Sequence, residues 1–124
     1  MTDPFEVLVV EDDDDVREAL VLLLGSEGVN AVGATDGRDA IDRIKSGFRP
    51  SLILLDLMMP VMDGERFLRT RIADPELASI PVVVVSAMQR IRVDPVELRV
   101  DEMIAKPVNP SRVLDAVRQY RPAM

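Results

Sequence analysis

The sequence contains no cysteine and no histidine. Without cysteine there is no disulfide framework, no thiol nucleophile and no thiolate metal site. Without histidine the commonest general base and metal ligand is missing. Any chemistry must then use carboxylates, hydroxyls, lysine or a bound cation. Tryptophan is also absent and aromatics are only 3%, so the core must be built from Val, Leu, Ile and Met. Positive charge is in deficit, with 22 acidic against 15 basic residues and a net charge of −7. That balance argues against neutralising the phosphates of nucleic acid, and against an anionic membrane surface. No apolar run approaches the roughly 20 residues of a spanning helix. The opening Met-Thr-Asp-Pro carries no positive region and no apolar signal core. What is present is aliphatic: 124 residues, 48% of them hydrophobic, enough for the core of one domain.

The stretch that organises the chain is Leu52 to Pro60, Leu-Ile-Leu-Leu-Asp-Leu-Met-Met-Pro. Its apolar start reads as a strand buried on both faces. A lone carboxylate inside such a strand is costly to desolvate, but it is tolerated at the carboxyl end, where open α/β sheets bind ligands. Asp56 is therefore either a site residue or a cap that ends the strand.

The remaining segments alternate. Phe5 to Val10 reads as a first strand and ends in the acidic run Glu11 to Asp15. Val16, Ala19, Leu20, Leu23 and Leu24 then recur at helical spacing, with Asp14 or Asp15 as N-cap. Capping accounts for Asp13 to Asp15 but not for Glu11 and Asp12, which precede the helix. Val29 to Ala34 is a weaker strand, and Asp36 caps a second helix with Asp39 at the capping-box position. After the central strand, Met62-Asp63-Gly64 forms a turn, Asp63 caps a helix bearing Phe67, Leu68 and Ile72, and Asp74-Pro75 ends it. Ile80 to Val85 is a fourth buried strand that runs into Ser86-Ala87. Asp94-Pro95-Val96-Glu97 signals a short helix near residues 95–99. Met103 to Ala105 is a short fifth strand leading to Lys106-Pro107, and Asn109-Pro110 opens a last helix with Val113, Ala116, Val117 and Tyr120 inward. This alternation implies an α/β doubly wound sandwich with a five-stranded parallel sheet, most simply in order 2-1-3-4-5.

In that order the carboxyl ends of the strands share one edge. They carry Glu11 and Asp12, Asp56, Ser86 and Lys106. Carboxylates about 5 Å apart repel by roughly 3 kcal/mol per pair at an effective dielectric near 20, so the site calls for a cation. Oxygen ligands without His or Cys favour Mg²⁺, which accepts a substrate phosphate as a further ligand. Asp56 could then serve as nucleophile toward a phosphoryl group, with Lys106 and Ser86 cradling its oxygens. Each residue also has a plainer reading, Ser86 as the end of a strand and Lys106 as a solvated charge.

The motifs Val-Val-Glu-Asp-Asp, Leu-Leu-Asp-Leu-Met-Met-Pro with Met-Asp-Gly after it, Val-Val-Ser-Ala and Ala-Lys-Pro together resemble the receiver domain of bacterial two-component response regulators, a flavodoxin-like fold. The resemblance runs from about residue 6 to residue 120. It implies that Asp56 accepts a phosphoryl group and that Glu11 and Asp12 form an acidic pair with Asp12 a direct Mg²⁺ ligand. It implies that Met58 offers the metal its backbone carbonyl, that Ser86 is the switch hydroxyl and that Lys106 binds phosphoryl oxygens. The Lys106-Pro107 bond becomes a candidate cis peptide. The implied partners are a histidine kinase or histidine phosphotransfer protein and a downstream protein target, in the cytoplasm, with no nucleic acid and no membrane; a homodimer stays open. The expected organisation is a single receiver domain over residues 1–124 without an output domain, a switch rather than a turnover enzyme.

Four departures qualify this. Glu11 replaces the more usual aspartate. The span from Ser86 to Lys106 is shorter than is common, so the fourth helix should be short or displaced. Met103 stands where the family has the aromatic that switches with the hydroxyl. Met58 and Met88, at positions that tune loss of the phosphoryl group, bear thioethers that orient water poorly, which implies slow dephosphorylation. Two other classes compete. A pseudo-receiver interaction module that never uses phosphate is slightly favoured by the altered fourth helix and Met103 and opposed by the intact Asp12, Asp56, Ser86 and Lys106. An aspartate phosphatase is disfavoured, because its second carboxylate falls at Met58.

Overall fold

The computed structural model describes residues 5–57, 64–87, 94–107 and 109–120. The chain runs β1 (Glu6–Val10), α1 (Asp14–Ser26), β2 (Asn30–Ala34), α2 (Gly37–Lys45), β3 (Leu52–Leu55), α3 (Gly64–Ala73), α4 (Pro75–Ala78), β4 (Val82–Ala87), β5 (Glu102–Lys106) and α5 (Pro110–Tyr120). The five strands form one sheet in the order β2-β1-β3-β4-β5, and every pairing is parallel. This is the flavodoxin-like doubly wound architecture expected from the alternating segments.

Period-two alternation of the strands builds two cores. Val7, Val9, Leu52, Leu54, Val83 and Val85 pack under Leu20 and Leu24 of α1 and Val113, Ala116 and Val117 of α5. Leu8, Val10, Ile53, Leu55, Val82 and Val84 face the other way, under Ala40 and Ile44 of α2 and Phe67 and Leu68 of α3. The three inner strands are therefore apolar at nearly every position, and a charge is admitted only past their ends.

Local boundaries differ from the sequence reading in four places. Asp13, not Asp14 or Asp15, caps α1, its carboxylate accepting from the N–H groups of Asp15 and Val16. Asp74-Pro75 does more than end α3: Asp74 caps the four-residue α4, with Pro75 at its first position. β4 continues through Ser86 to Ala87, so Ser86 lies within a strand. Residues 95–99 form a hydrogen-bonded turn rather than a regular helix. Asp94 still acts as a cap there, accepting from Val96 and Glu97 N–H, but Arg99 at φ 54° stops propagation. Asp36 does cap α2, and the Lys106-Pro107 bond is cis. The expected cap at Asp63 lies outside the described residues.

Candidate functional site

Parallel pairing brings the site together. The Asp56 N–H donates to the Val10 carbonyl at 3.0 Å, and the Glu11 N–H donates to the Ala34 carbonyl at 3.1 Å. The first residue after β3 is thus fastened to the end of β1, beside Glu11 and Asp12. Oxygens of Glu11, Asp12 and Asp56 lie within 4.8 Å of one another. Glu11 and Asp56 are buried, 4% and 5% exposed, whereas Asp12 is open to solvent. Lys106, at the end of β5, places its Nζ 3.3 Å from Asp56 Oδ2 and 3.4 Å from Glu11 Oε2. The start of α3 closes over this edge: the Gly64 N–H donates to the Leu57 carbonyl at 2.9 Å.

Ser86 sits in β4 opposite Ala105, the neighbour of Lys106. It is fully buried, and its Oγ has no hydrogen-bond partner among the described residues. A buried hydroxyl without a partner is rare because its desolvation is uncompensated, and it suits a site that receives an acceptor oxygen. Met103 is partly buried against the core on the α2–α3 side. Met58 and Met88 lie outside the described residues.

The donors fit a hard divalent ion. All three offer the hard oxygen ligands that Mg²⁺ favours, and the exposed Asp12 leaves room for the waters that Mg²⁺ retains. The electrostatics agree. Burial, and next the Asp56 charge, push the Glu11 carboxyl up to about 7, against the pull of Lys106. Burial opposes the charge on Lys106, but Glu11 and Asp56 outweigh it and raise its pKa. One ammonium shared by two buried carboxylates leaves the cluster short of positive charge.

The family model described as "Response regulator receiver domain" matches residues 7–118. The chain belongs to that family. A response regulator receiver protein from Pseudomonas putida superposes with a TM-score of 0.83 at 32% identity, covering 96% of this chain and 99% of that one. The DNA-binding response regulator MtrA of Mycobacterium tuberculosis is 36% identical over 115 residues, 90% of this chain and 48% of MtrA. Protein Rrf1 of Nitratidesulfovibrio vulgaris is 36% identical over 83 residues, 67% of this chain and 59% of Rrf1. The receiver thus spans about half the length of MtrA and somewhat more of Rrf1.

Sequence reasoning passed over two arginines, one behind the site and one at the amino ends of β4 and β5. Arg17 holds the Glu11 carbonyl at 2.8 Å, and Arg71 is buried at 2% exposure beneath the β4–β5 crossover. Arg71 had a visible signal, since it falls four residues after Phe67 and three after Leu68, on the apolar face of α3.

The Glu11 shift makes a testable link to pH. A folded-state pKa of about 7 against 4.5 means that the folded receiver holds a proton which the unfolded chain has released. This contribution is fully present below pH 4.5 and is lost as pH rises through 7. At about 1.4 kcal/mol per pKa unit it is on the order of 3 kcal/mol. Thermal melts without metal should show lower stability at about pH 8 than at about pH 5, and Mg²⁺ should restore stability mainly at the higher pH, because it binds the deprotonated ligands. In Glu11→Gln the slope should be shallower; an unchanged slope would remove Glu11 as its source.

Proposed function

We propose that this receiver takes a phosphoryl group onto Asp56 from a histidine kinase or histidine phosphotransfer protein, and that the modification changes which proteins it binds. The observation that carries the reading is the convergence of three carboxylates, within 4.8 Å, with the Lys106 ammonium 3.3 Å from Asp56 Oδ2. In the proposed step an Asp56 oxygen attacks phosphorus. The new P–O bond forms as the P–N bond to the donor imidazole breaks, and the imidazole leaves. Lys106 follows the charge from the carboxylate to the phosphoryl oxygens. The orphaned Ser86 hydroxyl donates to one of those oxygens. Glu11, Asp12, Asp56 and the backbone carbonyl of Met58 would hold Mg²⁺. When bound, the ion offsets negative charge on the transferring group.

The reading has this chain as a cytoplasmic switch and not a turnover enzyme. Its own chemistry is self-phosphorylation and slow dephosphorylation, because methionine at 58 and 88 cannot orient water strongly. MtrA is described as DNA-binding; the net charge of −7 here makes this domain itself a poor binder of the phosphate backbone of nucleic acid, and the downstream target in this reading is a protein. No helix among the described residues is long and apolar enough to cross a membrane. The pseudo-receiver reading is favoured by Met103 and by the turn at residues 95–99, both in the region where a family member would switch.

Intact mass after incubation with Mg²⁺ and acetyl phosphate, or with a phosphorylated histidine-kinase panel, separates the two. One phosphoryl group should be gained, only with Mg²⁺, and lost in Asp56→Ala. Its decay should quicken in Met58→Asn. No gain from any donor, in a folded protein, would leave the pseudo-receiver.

A further inference from the structure

Arg17 stands outside the cluster yet grips its backbone. It lies in the first turn of α1, and its side chain turns back toward the end of β1. Nη1 donates to the Glu11 carbonyl at 2.8 Å, while Nη2 pairs with Asp14. The side chain is only 19% exposed, and part of its cover is edge strand β2. A Cβ placed on Gly33 would stand 2.9 Å from Arg17 Cδ and 3.1 Å from Cγ. Glycine at that strand position therefore opens the channel in which the arginine stem lies.

The grip falls on a particular peptide. The Glu11 carbonyl belongs to the peptide bond joining Glu11 to Asp12, and peptide planes are rigid. The other fastenings lie on either side. The Glu11 N–H is held by the Ala34 carbonyl at 3.1 Å. The Asp13 N–H donates to Glu11 Oε1 at 3.3 Å, and the Asp13 carboxylate caps α1. Asp12 itself is exposed, on a loop between strand and helix. The orientation of its preceding peptide sets the direction in which its carboxylate leaves the chain.

We infer that Arg17, seated in the channel left by Gly33, is a positioning residue that presents Asp12 and Glu11 to a divalent cation. The inference rests on the phosphoryl-acceptor reading above. Hydrogen bonds behind metal ligands typically contribute about 10- to 100-fold in affinity. Arg17 acts through backbone, so about tenfold is expected.

The test is calorimetric titration of Mg²⁺ into the whole chain, with the Mg²⁺ dependence of phosphorylation by acetyl phosphate as a second readout. Arg17→Met keeps the stem and removes the donor. It should weaken Mg²⁺ by about tenfold and raise the half-saturating Mg²⁺ equally, while the rate at saturating Mg²⁺ falls by less than about twofold. Arg17→Lys should recover part of the loss. Gly33→Ala should weaken Mg²⁺ in the same direction, because the new methyl displaces a flexible side chain rather than backbone. The double variant should be no worse than Arg17→Met alone, since both changes remove one contact. Arg17→Met with wild-type Mg²⁺ affinity, whatever its melting temperature, would overturn the role of Arg17 and leave the acceptor reading intact. Additive losses in the double variant would overturn the shared channel. A wild type that binds no Mg²⁺ would overturn the acceptor reading and this inference with it.

Discussion

Gly64→Ala is expected to lower the stability of this receiver by about 3 kcal/mol and to abolish most of its phosphorylation. Gly64 opens α3, where alanine by intrinsic propensity should help by up to about 1 kcal/mol. Packing reverses the sign. A Cβ at this position would overlap the Leu57 Cα, approach Leu57 Cδ2 to 2.7 Å and Asp56 O to 3.1 Å. The nearest obstacle is backbone and cannot rotate away. Either α3 lifts from the sheet edge, losing the bond from Gly64 N–H to the Leu57 carbonyl, or the Asp56–Leu57 backbone shifts. The second path moves the Asp56 carboxylate relative to Lys106. Thermal melts should show a fall of roughly 10 °C, and phosphorylation by acetyl phosphate should drop even well below the melting point. A variant that melts and reacts like wild type would show that the edge is looser than the geometry indicates.

Arg71→Met should cost about 3 kcal/mol for a different reason. The Arg71 guanidinium is buried, and its partners are backbone carbonyls. Nε and Nη2 both donate to Ile80 O, at 3.0 and 2.7 Å, and Nη1 donates to Leu98 O and Arg99 O at 3.3 and 3.2 Å. Burial lowers its pKa. Replacing a buried ion by an apolar residue is often harmless when its partner is removed too. Here the partners are main chain and stay, so three carbonyls lose a donor, at about 1–3 kcal/mol for each buried group left unsatisfied. The same bonds tie α3 to the turn at residues 95–99, midway between Ser86 and Lys106. Amide exchange should quicken in residues 94–101 of Arg71→Met before it quickens in β1 or β3, and phosphorylation should slow as β5 loosens. Uniform exchange, with a melting point unchanged within a degree or two, would sink this account.

Much of the site was legible from local chemistry. Glu11, Asp12, Asp56 and Lys106 could be placed together from sequence because each follows an apolar run, and the carboxyl ends of parallel strands share an edge. Ser86 was legible as a candidate but not as a strand residue, since a hydroxyl after Val82 to Val85 reads equally as the end of the strand or its continuation. The cross-strand ladder to Ala105 decided that. The turn at residues 95–99 was misread as helix because Asp94-Pro95 is a sound capping signal. Arg71 and the left-handed Arg99, tertiary features, keep it to one turn.

The sequence by itself determined the alternation of strands and helices, the aliphatic composition of both cores, the absence of cysteine and histidine chemistry, and the carboxylates, hydroxyl and lysine that gather at one sheet edge. These follow from periodicity, residue chemistry and the handedness of parallel crossovers, all of which act over short stretches of chain. Only the tertiary structure decided that Arg17 fits because Gly33 lacks a side chain, that Gly64 must be glycine because Leu57 lies against it, and that Arg71 can be buried because three carbonyls converge on it. Each of those depends on atoms that are distant in sequence or on a shape that no pattern of residue types specifies, so each is decided by packing.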